Sequence, residues 1–234
     1  MIKEIEKRLL GFINKDELVR LTQDLVRIDS VIRPETGNTE AGVVRFIADW
    51  IQRELGVKPL VQEVVPLREN IIVTIDSGKP GPCLMFEGHT DVVSEGNKDL
   101  WQHDPFGGEI HEGKIYGRGS CDMKAGLAVN LLTVKAMMKS KIDFKGKMRL
   151  GIVCDEEDLM LGIQDYIKKG HADDVDACLV SEPEENQLCL SMKGALRAIV
   201  KVKGKMAHGA MPLTGINTSV RMARIILAFE AFEK

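Results

Sequence analysis

The chain has 234 residues, 44% hydrophobic and 29% charged, which suits one or two folded domains with a sizeable core. A formal net charge of −3 and a pI near 6.0 argue against nucleic acid or an anionic membrane as partner. The five cysteines are scattered and odd in number, with no Cys-x-x-Cys pair, so neither a disulfide framework nor a thiolate zinc site is expected. No run approaches the roughly 18 apolar residues of a membrane span, and the N-terminus lacks the apolar core of a signal peptide. A soluble, cytoplasmic protein is expected.

In chain order, residues 2–13 and 16–28 are expected to be helices, the second with Leu18, Leu21, Leu25 and Ile28 on one face. Residues 29–39 carry Ser30, Pro34, Gly37 and Asn38 and should form a loop. A third helix spans Glu40 to Leu55, with Val43, Val44, Ile47, Trp50 and Ile51 at helical spacing. Strand-like runs come next at 57–65, 70–75 and 83–87, the last nearly all apolar, as in a strand covered on both faces. A hairpin over Glu109–Tyr116 turns at Glu112-Gly113, and a helix runs from Asp122 to about Lys139. Residues 147–154 form another apolar strand, residues 162–169 a helix, and Ala177–Ser181 a strand. Strands alternating with helices indicate an α/β fold, a mostly parallel sheet with helices on both faces. At Ala195–Lys203 the pattern becomes a strand wet on one face, followed by a loop carrying His208 and a helix over Asn217–Phe232. These mark a second, α+β unit, so residues 1–190 are assigned to a catalytic domain and 191–234 to the beginning of another, incomplete one.

Several strands end in residues that carry chemistry. His89 and Asp91 close the strand at 83–87, and residues two apart in extended chain share a face. His89 would ligate a metal with Asp91 holding the other ring nitrogen; the plain alternative is a histidine satisfied by its neighbour. Asp122 either caps the following helix or bridges two cations about 3.5–4 Å apart. Glu156 and Glu157 come after the next strand within Asp155-Glu156-Glu157-Asp158, and Glu182 precedes Pro183 at the end of another. Four adjacent carboxylates need a counter-charge that no neighbouring sequence supplies, unless they form a solvated acidic turn. An imidazole with several carboxylates suits two divalent ions, zinc first, with cobalt or manganese as alternatives. In that reading Glu156 is the general base.

With these motifs the sequence resembles the co-catalytic zinc peptidase and deacylase family, which includes acetylornithine deacetylase, succinyl-diaminopimelate desuccinylase, aminoacylase and glutamate-releasing carboxypeptidases. The resemblance rests on Gly88-His89-Thr90-Asp91, Trp101 with Asp104-Pro105-Phe106, and Tyr116-Gly117-Arg118-Gly119 through Asp122-Met123-Lys124-Ala125-Gly126. It continues through Asp155-Glu156-Glu157, Ser181-Glu182-Pro183 and Ala207-His208-Gly209. It implies that His89 and Glu182 hold one metal, Glu157 the other, and that Asp122 bridges both. It further implies that Asp91 orients His89, that Glu156 is the base, and that the second unit is a dimerising lid whose His208 stabilises the oxyanion in the partner. The expected reaction is hydrolysis of an N-acyl amino acid amide; a dipeptidase, a carboxypeptidase or a non-catalytic metal-binding remnant are the alternatives. Family members return from the lid to add a final histidine ligand, for which His103, His111 and His171 are poor stand-ins by position.

Overall fold

The computed structural model describes residues 2–194 and 196–233. These fall into two compact units, 1–187 and 188–234. The first opens with helices α1 (Ile2–Leu10), α2 (Lys15–Val26) and α3 (Ala41–Leu55). Asn14 starts α2 by accepting the backbone N–H groups of Asp16 and Glu17 at 2.8 and 3.1 Å, satisfying donors that a helix start leaves free. Strands β1 (Leu60–Val65), β2 (Arg68–Asp76) and β3 (Cys83–His89) come next, then a hairpin of β4 (Glu109–His111) and β5 (Lys114–Tyr116). Helix α4 (Lys124–Ser140), β6 (Lys147–Val153), α5 (Leu161–Lys168) and β7 (Ala177–Val180) complete this unit.

The five-stranded sheet has the order β1-β2-β6-β3-β7. Strand β3 runs parallel to both its neighbours, β6 and β7, while β2 runs against β1 and β6. Only β2 therefore opposes the common direction, which gives the mostly parallel sheet expected from the alternating pattern. Alternate side chains of the central strands feed two cores, because successive residues of a strand face opposite ways. On one side Ile71, Val73, Phe86, Leu150 and Ile152 pack against Leu25 of α2, Ile47 and Ile51 of α3, and Leu127 and Leu131 of α4. On the other, Ile72, Met85 and Val153 meet Tyr166 and Ile163 of α5. Each large apolar side chain fully buried in these cores contributes about 1.5–3 kcal/mol, so the larger core dominates.

In the second unit Asn217 caps helix α6 (Thr218–Glu230) by accepting from Ser219 and Val220 N–H at 2.9 and 3.3 Å. A single antiparallel bridge joins Lys205 to Ile216. Of the strand expected at Ala195–Lys203, none forms among the described residues. Ala195 lies outside the described residues, and residues 196–203 have no ladder partner among the described residues. An alternating pattern makes a strand only where a neighbour takes its hydrogen bonds. No residue of α6 is buried, and Ile226, Leu227 and Phe229 stand exposed.

Candidate metal centre

The C-terminal ends of β6, β3 and β7 lie side by side, with His89 opposite Val153 and Glu87 opposite Val180. Loops leaving three adjacent parallel strands converge at this edge, the usual place for a site in an open α/β sheet. His89 is 1% exposed. Its Nδ1 donates to the Asp91 carbonyl oxygen at 2.9 Å, which turns Nε2 toward the carboxylates. Nε2 lies 3.2 Å from Asp122 Oδ1, 3.6 Å from Glu182 Oε1 and 3.8 Å from Glu156 Oε2. Ligand atoms of His89, Asp122 and Glu182 all lie within 4.8 Å of one another.

The Asp91 carboxylate does more than face the imidazole. Its Oδ1 is 3.5 Å from Nδ1, while Oδ1 and Oδ2 accept the backbone N–H groups of Glu156 and Glu157 at 3.1 and 3.0 Å. One buried side chain thus ties the end of β3 to the loop after β6. Asp122 does not cap α4: that helix starts from Met123 without a side-chain cap, so the Asp122 carboxylate stays available to His89. Glu157 has its carboxyl in the field of Asp122, His89 and Glu156, outside the close three-ligand group. His208 belongs to the second unit, where it is exposed and its Nδ1 accepts the Ala210 N–H at 3.2 Å.

The counter-charge for the acidic turn comes from β2, far away in sequence. Arg68 sits 2.7 Å from Asp155 and binds Glu40 at 2.6 Å, and Glu40 also accepts the Asp155 N–H at 3.2 Å. Asp155 Oδ2 in turn accepts the N–H groups of Leu159 and Leu161, folding the turn back on itself. Glu182 is placed from the other side: Ser181 Oγ donates to Asn130 Oδ1 at 2.7 Å, and Asn130 Nδ2 donates to the Glu87 carbonyl at 3.1 Å. Gly126 permits this, since a Cβ there would lie 2.1 Å from the Ser181 carbonyl oxygen. Two residues after Asp122, the Nζ of fully buried Lys124 donates to the Ile28 carbonyl at 2.7 Å. Neither the contact of Lys124 with Ile28 nor the Arg68–Glu40 pair was legible in the sequence, because the partners are remote along the chain.

The electrostatics describe a cluster short of positive charge. Burial pushes Glu182 up to about 7, reinforced by Asp122 and Glu156, and it also raises Glu157. Burial disfavours a charged imidazole at His89, yet hydrogen bonds to Asp122 and Asp91 and the nearby carboxylates outweigh it and push His89 up to about 11. The hydrogen bond from His89 holds Asp122 below the usual carboxylate range. An imidazole and two carboxylate oxygens at this spacing, surrounded by further carboxylates, are a donor set that fits a divalent cation.

Residues 85–216 match the model of peptidase family M20/M25/M40, more than half of the chain and spanning His89, Asp91, Asp122, Glu156, Glu157 and Glu182. The chain belongs to that family. Among its M20 relatives, a probable succinyl-diaminopimelate desuccinylase of Staphylococcus epidermidis is 31% identical over 205 residues, 88% of this chain and 49% of the relative. A succinyl-diaminopimelate desuccinylase of Methylobacterium radiotolerans is 32% identical over 228 residues, 92% of this chain and 56% of the relative. This M20 chain therefore spans about half the length of the curated relatives it matches. The crystal structure of human carnosine dipeptidase 1 superposes with a TM-score of 0.65 at 22% identity, covering 75% of this chain and 40% of that one. At that identity the likeness establishes a shared fold alone.

Proposed function

We propose that this chain carries the greater part of the catalytic centre of a metal-dependent hydrolase that cleaves the amide bond of an N-acyl amino acid, in the manner of a desuccinylase or deacetylase. The observation that carries the proposal is the convergence on His89 Nε2 of carboxylates from three separate segments, within 3.8 Å. The names of the relatives support the substrate class. His89 and Glu182 would hold one ion, Glu157 the other, and Asp122 would bridge them, with zinc as the first choice. When bound, such a pair polarises an amide carbonyl and acidifies water.

The protein's own groups do the rest. Asp91 and the Asp91 carbonyl fix the imidazole, leaving Nε2 as the ligating nitrogen. Glu156, one-third exposed at the rim, takes the proton of the attacking water and hands it to the departing amine. The Arg68–Asp155–Glu40 network holds the backbone from which Glu156 projects. The second unit would be the start of the lid through which two copies pair, with His208 of one copy at the oxyanion of the other. A reducing, cytoplasmic setting is consistent with five free cysteines.

The test compares the chain with its Glu156→Gln variant on N-succinyl and N-acetyl amino acids, after loading with zinc or cobalt. Turnover should fall about 10²–10⁴-fold in the variant while bound metal, measured by elemental analysis, stays the same. Absence of turnover in the unsubstituted chain, or equal rates in both proteins, overturns the assignment.

A further inference from the structure

A second cluster lies outside this centre. Glu109 and His111 are two residues apart on β4, so both side chains project from one face of the β4–β5 hairpin. The hairpin turns tightly at Glu112-Gly113, where φ of 49° and 75° suits glycine at the second position. Its register sets Tyr116 opposite Glu109. From the preceding loop, His103 reaches the same spot. Its Nδ1 is 3.4 Å from Glu109 Oε2, while His111 Nε2 is 2.8 Å from that oxygen. The two imidazoles stack with centroids 3.9 Å apart, and the His103 ring leans on Tyr116 at 4.4 Å.

We propose that His103, Glu109 and His111 form a second metal site, selective for a divalent first-row transition ion such as zinc, nickel or copper. Two imidazole nitrogens and one carboxylate oxygen lie mutually within 4.8 Å. A tetrahedral ion with ligands at about 2.0–2.1 Å needs them about 3.4 Å apart, and the two rings, 18° from parallel, would have to swing out of their stack for both lone pairs to meet the ion. Imidazole selects these ions over magnesium or calcium, which favour all-oxygen shells. His103 and Tyr116 also line an open depression of about 380 Å³, leaving room for water at the remaining positions. His111 and Glu109 are half-exposed, so an ion can reach them from solvent. An ion bound there would clip the loop bearing Trp101 and His103 to the hairpin. The site stands on its own residues and not on the hydrolase reading.

The experiment titrates Zn²⁺ into a His89→Ala/Glu182→Gln background by calorimetry, with folding verified by circular dichroism. One ion per chain should still bind, and adding His103→Ala and His111→Ala should weaken that binding by at least about tenfold. In the unsubstituted chain, the ¹⁵N resonances of His103 and His111 should shift on zinc addition, a readout that does not require any variant to fold. Unshifted resonances, or zinc affinity unchanged by the two alanines, overturn the site.

Discussion

The two histidine clusters share a donor chemistry and differ in how the fold holds it. His89 is 1% exposed and meets carboxylates delivered from the ends of β6 and β7 and from the start of α4. His103, Glu109 and His111 sit within a short stretch of chain, two of the three in one strand of a surface hairpin and the third in the loop before it. The deep cluster is assembled by packing, so its geometry is fixed by helix and sheet positions that also carry stability. The surface cluster is assembled by a local turn and can be altered at little cost to the fold. Burial also gives the deep cluster its perturbed titrations, because removing water there amplifies each neighbouring charge.

Three perturbations test whether the deep cluster is tied to the core in this way. The largest effect is expected from the Lys124 ammonium, which burial holds down to about 7 from 10.5, partly offset by Asp29. Between those values the unfolded chain keeps a proton that the folded chain has released, so stability climbs as pH rises. Below about 7 the cost of burying the charge is fully present. From pH 7 to pH 10 this group should add on the order of 4 kcal/mol, at about 1.4 kcal/mol per pH unit. Urea unfolding at several pH values should show that rise in the chain itself and lose it in Lys124→Met. Parallel curves for both proteins would detach Lys124 from the stability of the site.

Next in size is Gly126→Ala. The added methyl would meet the Ser181 carbonyl oxygen, forcing α4 away from the segment that carries Glu182. A loss of about 3 kcal/mol in unfolding free energy is expected, together with weaker metal binding. Loss of stability with metal affinity intact would separate the packing from the site. The smallest effect is that of Asp91→Asn, which keeps the size of the side chain but weakens its grip on the Glu156 and Glu157 N–H groups. Zinc affinity should fall about 10–100-fold with little change in unfolding. Unchanged affinity in a calorimetric titration would reduce Asp91 to a neighbour of His89.

Much of the first unit was legible. Helical spacing in Val43, Val44, Ile47, Trp50 and Ile51 marks α3, and the apolar runs at 83–87 and 147–154 mark β3 and β6, each within a residue or two of its observed end. Asp122 was ambiguous between a helix cap and a ligand, and the uncapped start of α4 removes the first reading. Over residues 196–203 the expected strand is not seen, because alternation describes a face and supplies no neighbour to pair with.

The sequence by itself determined which side chains stand at strand ends, since periodicity fixes where a strand stops and which residues come directly after it. It also determined the donor chemistry: one imidazole, several carboxylates and no thiolate. Only the tertiary structure decided which of those carboxylates meet His89, because the strand order β6-β3-β7 pairs segments remote in sequence and leaves no local mark. The same is true of Arg68 reaching Asp155 and of Lys124 reaching Ile28. Each joins residues separated along the chain, and such pairings are selected by the burial of the whole core.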